Sequence, residues 1–286
     1  MKRTRSQTKP YSNPNDSLSS SKISFRARKI RRTPLITNKN PNPEPETSSK
    51  PSPTTISKPL TATGEIEAAL NHLRAADPLL ANCIDSLPPP HFSNDVVVTP
   101  FFSLTKSIIS QQLSNKAASA IESRFVSLCG GRDSVLPDVV LSLSPVQLRQ
   151  VGISGPKATY LHDLATKYID GILSDSTILQ MDDETLHEKL TLVKGIGPWS
   201  VHMFMIFTLH RPDVLPVGDL VVRRGVERLY GLKALPAPSL MERLCQKWKP
   251  YSSVASCYMY KFMDAKGVLP LPATTITDHQ QMGGGE

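Results

Sequence analysis

The chain has 286 residues, a formal charge of +8, 25 prolines and four cysteines. Residues 1–60 hold 13 Lys/Arg against three Asp/Glu, leaving 20 basic against 22 acidic residues beyond them, so the excess charge belongs to the N-terminal segment. No run approaches the roughly 18 apolar residues of a membrane span, no apolar stretch near the N-terminus marks a secretory signal, and Cys83, Cys129, Cys245 and Cys257 lack zinc-site or disulfide-framework spacing.

Residues 1–60 contain nine prolines, many Ser, Thr and Asn, and only Tyr11 and Phe25 as aromatics. So little apolar surface cannot offset the entropy of ordering, which predicts a disordered basic tail. Its clusters, Lys2-Arg3-Thr4-Arg5 and Arg26 to Arg32, read as a nuclear address or a loose grip on nucleic acid. An organelle transit peptide has a similar composition, but the clustered arginines favour the nucleus. A second disordered tail is expected over residues 273–286, between which and the first lies one domain, residues 61–272.

That domain reads as helical from its start. Glu65 to Leu73 has apolar residues at helical spacing, Asp77-Pro78 opens a short helix ended by Pro88-Pro89-Pro90, and Val96-Val97-Val98 is the one plausible strand. Two helices with a largely buried face are expected between Phe101 and Gly130, interrupted by Ser110-Gln111-Gln112-Leu113-Ser114. Two adjacent glutamines cannot both be buried without partners, so this insert is either a capped junction or a surface that meets something. Val151 to Lys157 spells a glycine turn followed by a Pro-begun helix; Lys157 would offer a phosphate contact, or the segment is a structural hairpin.

The segment Leu192 to Gly231 carries the chemistry. Gly195 and Gly197 separate a helix predicted over 182–193 from one beginning at Pro198, whose missing N–H costs nothing at that position. The amides of Gly195, Ile196 and Gly197 would then meet a phosphate at the positive end of the second helix, with Ser200 one turn in. Twenty positions after Trp199 stands Asp219, behind Pro216-Val217-Gly218 and ahead of a helix over 220–230. Alone, Asp219 would be an N-cap. Arg224 and Arg228 share a face of that helix and would meet a backbone phosphate or simply be solvated. The last helices, 239–248 and 252–262, bring Trp248, Tyr251, Tyr258, Tyr260 and Phe262, mostly core by their spacing.

Taken together, Lys194-Gly195-Ile196-Gly197-Pro198-Trp199, a helix, and Leu215-Pro216-Val217-Gly218-Asp219 resemble the helix-hairpin-helix DNA glycosylase superfamily, and within it the 3-methyladenine DNA glycosylase II branch. The resemblance runs from about Ala62 to Leu269. It implies an all-α fold of two helical subdomains with the active site in the cleft between them, acting as a monomer on double-stranded DNA that carries alkylated bases, without cofactor. It implies a catalytic role for Asp219, a base pocket of Trp199 with Phe204, Trp248 and Tyr258 behind it, and a minor-groove wedge at Gln112 or Leu113. It also implies no metal cofactor beyond a monovalent cation at the carbonyls of the Val193–Gly197 hairpin. Relatives with an iron–sulfur cluster place four cysteines after the catalytic region, where this chain has only Cys245 and Cys257.

The expected reaction is excision of 3-methyladenine or 7-methylguanine by hydrolysis. Bifunctional relatives place a lysine nucleophile where this chain has Trp199, and Lys194 precedes the hairpin. Met203 stands where some relatives have a tyrosine against the base, which leaves the range of lesions open. A bifunctional glycosylase/lyase and a non-catalytic DNA-binding module are the rival readings.

Overall fold

A computed structural model describes residues 58–92 and 98–265. The expectations for both tails therefore lie almost wholly outside the described residues, as do Val96 and Val97; Val98 belongs to no strand. Leu60, placed in the first tail, is however buried in a core and its amide donates to His210 O at 2.8 Å, so the folded part begins before residue 61. Thirteen α-helices and two short 3-10 turns are described, with no strand among the described residues. In order the helices are α1 (Glu65–Ala76), α2 (Pro78–Ser86), α3 (Pro100–Ser110), α4 (Asn115–Leu128), α5 (Pro137–Ser142), α6 (Pro145–Gln150) and α7 (Gly155–Ile169). There follow α8 (Asp175–Gln180), α9 (Asp183–Thr191), α10 (Pro198–Phe207), α11 (Leu220–Leu229), α12 (Pro238–Cys245) and α13 (Ser252–Asp264).

The prolines explain many of these starts. Pro78, Pro100, Pro137, Pro145, Pro198 and Pro238 each occupy the first position of a helix, where the fixed φ suits the turn and no hydrogen bond is lost. Caps complete the signal. The side chains of Asp77, Thr99, Ser114, Ser144, Ser174 and Asp182 accept from first-turn amides of the helices they precede. The helices are thus encoded locally, at their ends, as much as by their apolar faces.

Two apolar cores hold the helices together. One gathers Phe101, Ile108, Phe125, Leu148, Leu161, Leu186, Val201 and Phe204 from the middle of the chain, α3 to α10. The other joins the two ends of the described chain, packing Leu73 and Leu80 of α1 and α2 against Val226, Trp248, Tyr258 and Phe262. Asp77 ties this second core. It is fully buried, caps α2 through Leu79 and Leu80 amides, and accepts from Trp248 Nε1 at 2.9 Å and from the Tyr230 hydroxyl, with Lys247 Nζ at 3.3 Å. Burial, reinforced by that carboxylate, drives the Tyr230 hydroxyl above the ordinary tyrosine range, so it stays a donor. Asp77→Ala is expected to cost about 3–5 kcal/mol, since it strands two buried donors and a lysine at once; a urea melt checks it.

Candidate active site

α10 is apolar nearly all round, and the two sides of it do different work. Val201, Met205 and Ile206 are buried in the first core. Trp199, Met203 and Phe207, spaced four apart and so stacked on one face, instead line an open cleft of about 1410 Å³ together with Phe204. Trp199 and Phe207 remain about half exposed, 50% and 51%. An apolar stripe left uncovered beside a concavity is the ordinary signature of a ligand wall rather than of a core. The rest of the lining comes largely from α3 and the turn after it: Pro100, Ser103, Lys106, Ser107, Ser110, Gln111, Gln112 and Leu113.

Asp219 sits at the edge of this wall, 6% exposed. It does cap α11: Oδ1 accepts the amides of Val221 at 2.8 Å and Val222 at 2.9 Å. Its other oxygen is free of that duty and turns to α10 and α13, where Oδ2 accepts Trp199 Nε1 at 2.6 Å and the Tyr260 hydroxyl at 3.0 Å. Every contact treats the group as an acceptor. Burial, then the Asp219 charge and hydrogen bond, push the Tyr260 hydroxyl above its usual range, so this donor also keeps its proton. The capping and site readings of Asp219 are therefore one geometry, with one oxygen given to each.

The cleft is lined mainly by α3 and the turn after it, α8, the glycine hairpin and α10, elements of the first core, and Asp219 does not line it. The carboxylate comes instead from the start of α11, of the second core, and meets Trp199 of the first, an arrangement consistent with a site where the two sets of helices meet. The indole of Trp199 lies between carboxylate and cleft, its ring on the wall and its N–H on Asp219.

The hairpin before α10 is built as its glycines suggest, although the two differ in purpose. Gly195 has φ +81°, and an added Cβ would lie 2.2 Å from the Tyr160 ring of α7, so the fold itself requires glycine there. Gly197 has φ −105°, which any residue adopts, and nothing stands within 4 Å of an added Cβ. No side chain caps α10, so the start of this helix presents uncapped amides across open space. Asp163 of α7 holds the hairpin from below, accepting the Lys194 amide at 2.9 Å and pairing with its ammonium at 3.7 Å.

Other expected contacts are redirected. The Ile196 amide bonds Val193 O within the turn and its side chain is buried, so it offers nothing outward; Ser200 is largely buried but borders the cleft. Lys157 does not face solvent for a phosphate: its Nζ donates to Ile109 O and Gln111 O, each at 2.7 Å. Arg224 is exposed, but Arg228 lies over the Phe262 ring at 4.8 Å and is not its partner at a phosphate. Trp248 and Tyr258 are fully buried in the second core and belong to no base pocket, whereas Phe204 does line the cleft. Of the hairpin carbonyls proposed for a cation, Val193 O accepts Ile196 N–H and Gly195 O accepts Gln111 Nε2, so a cation would have to share them.

Residues 105–250 match the family model of the HhH-GPD superfamily of base excision DNA repair proteins. The chain belongs to this superfamily. Among the relatives of this HhH-GPD protein, DNA-3-methyladenine glycosylase 1 of Schizosaccharomyces pombe is 32% identical over 57% of this chain and 72% of its own length. The crystal structure of a DNA-3-methyladenine glycosidase from Bacillus halodurans superposes with a TM-score of 0.63 at 34% identity, covering 73% of this chain and 92% of that one. The Schizosaccharomyces pombe 3-methyladenine DNA glycosylase in complex with abasic DNA superposes with a TM-score of 0.57 at 29% identity, over 68% and 95% of the two chains. The all-helical HhH-GPD architecture expected from the sequence is the one found.

The residue the sequence reading missed at this HhH-GPD site is Tyr260. Its signal was present: with Tyr258 and Phe262 on the core face of α13, a residue two positions from each points the other way.

Proposed function

We propose that this protein is a monofunctional DNA glycosylase that turns an alkylated purine out of the duplex and hydrolyses its N-glycosidic bond, opening base excision repair. The observation that carries the reading is the 2.6 Å bond from Trp199 Nε1 to Asp219 Oδ2, which couples an exposed aromatic wall to a buried carboxylate whose partners are all donors. A base alkylated at N3 or N7 is cationic. It is drawn to aromatic faces by about 0.5–2 kcal/mol and departs without a strong general acid. What the reaction needs is negative charge near the anomeric carbon as the sugar becomes oxocarbenium-like, and Asp219 supplies it. Its oxygens are fixed in advance by four donors, so little reorganisation accompanies the reaction.

The hairpin serves the approach. Gly197 and the uncapped start of α10 receive a backbone phosphate of the lesion strand, Arg224 adds charge from α11, and Gln112 or Leu113 enters the gap left by the extruded nucleotide. With Trp199 in place of a lysine, and Lys194 exposed and paired with Asp163, water is the nucleophile. Double-stranded DNA bearing alkylated bases is the partner, the protein acts as a monomer, and the basic tail directs it to the nucleus.

The test is to incubate methylated duplex with the protein, chromatograph the free bases, and compare strand breaks before and after alkali. Released 3-methyladenine or 7-methylguanine with breaks only after alkali supports the proposal. Breaks without alkali, or covalent trapping by borohydride, would mark a lyase; no released base would leave a binding module.

A further inference from the structure

The turn that follows α3 is held in an unusual backbone. Gln112 has φ +57°, a left-handed conformation that a non-glycine residue adopts at a cost and keeps only where its surroundings impose it. Beside it Leu113 is 37% exposed on the rim of the cleft. The surroundings that impose this turn are specific. At the C-terminus of α3, carbonyls without helical partners gather partial negative charge. There Lys157 Nζ bridges Ile109 O and Gln111 O at 2.7 Å each. Burial lowers the ammonium pKa, yet both contacts favour its charged form. From the other side, Gln111 Nε2 donates to Gly195 O at 2.8 Å, which fastens the same turn to the hairpin.

One edge of α7 organises all of this. Lys157, Tyr160 and Asp163 follow one another at three-residue spacing. They hold, in turn, the end of α3, the underside of Gly195 and the Lys194 amide. The turn and the hairpin, which both line the cleft, are thereby fixed to one rigid helix and to each other.

We infer that Lys157, with Gln111, is a positioning residue that sets the Gln112–Leu113 turn at the height and angle needed to enter the duplex as the nucleotide leaves it. The inference rests on the base-flipping reading above, but it concerns DNA distortion rather than bond cleavage, and so it has its own readout. The probe is a duplex carrying a tetrahydrofuran abasic-site analogue with 2-aminopurine opposite it, titrated to saturation. Entry of the turn changes the stacking, and hence the fluorescence, of 2-aminopurine. Native protein is expected to give a large change. Lys157→Met and Gln111→Ala are expected to give less than half of it at saturation, and Lys157→Arg, which keeps a cationic donor for two carbonyls, to restore most of it. Gly197→Ala, by contrast, should need more protein to reach the native amplitude.

A native amplitude in Lys157→Met at saturation would overturn the inference. So would no fluorescence change with native protein. Should Lys157→Met melt early, Gln111→Ala decides: a stable Gln111→Ala protein with full amplitude also overturns it. Base release by native protein is scored separately. If no base is released and the fluorescence loss still appears, the glycosylase reading fails and the positioning role stands.

Discussion

Asp219→Asn is expected to reduce single-turnover base release by at least about 10²–10³-fold in a protein that still folds, its stability falling by only about 1–3 kcal/mol. The two halves of this result follow from the two oxygens of one carboxylate. Oδ1 serves the amides of Val221 and Val222, and asparagine caps a helix nearly as well as aspartate, so α11 keeps its start. Oδ2 serves Trp199 and Tyr260. There the variant, its oxygen kept on the cap, turns an NH₂ group towards two donors, and the negative charge needed as the sugar turns cationic is gone. A residue that acted only as a cap would leave base release at the native rate, and a residue that mattered only through folding would lose release no faster than the folded fraction falls.

The paired glycines make the second strong prediction, and its value is the contrast. Gly195→Ala places a side chain on a left-handed backbone, at about 1–2 kcal/mol, and drives its Cβ to 2.2 Å from the Tyr160 ring. Tyr160 packs against the first core, so the hairpin must move. A total of about 2–4 kcal/mol is expected, which for a domain of this size lowers the melting temperature by about 5–15 °C. Gly197→Ala meets neither obstacle, and its stability is expected within about 0.5 kcal/mol of native. Its added methyl instead stands where, on the proposed function, a phosphate oxygen approaches the uncapped amides of α10. Duplex affinity is expected to fall about tenfold, a change of about 1.4 kcal/mol. Calorimetry and fluorescence anisotropy on the two variants should give opposite profiles.

What could be read from the chain alone was whatever is written locally. Proline at a first helical position, an Asp or Ser before it, and glycine where a turn goes left-handed need no knowledge of the fold. They located the hairpin, the start of α10 and the cap of α11. The acid was found by its distance from Trp199 and by resemblance, but its partners were not. Tyr260 lies 41 positions away and meets it only because α13 packs on α11. Lys157 shows the same limit from the other side: an ammonium beside a glycine turn suits a phosphate oxygen or a carbonyl oxygen equally, and the carbonyls that took it are 46 and 48 positions distant. Trp248 and Tyr258 were assigned to a pocket because aromatic rings suit a cationic base. Burial claimed them instead, Trp248 through its bond to Asp77.

The central claim is that Asp219 acts by holding negative charge against a sugar that turns positive. It is tested most directly by affinity for two duplexes that differ in one group, a cationic pyrrolidine or a neutral tetrahydrofuran in place of the lesion's sugar. A charge-complementary site binds the cationic mimic of the transition state at least about 10²-fold more tightly, and the account predicts that Asp219→Asn erases that preference. Equal affinity of the native protein for both duplexes, or a preference that survives in Asp219→Asn, would contradict it.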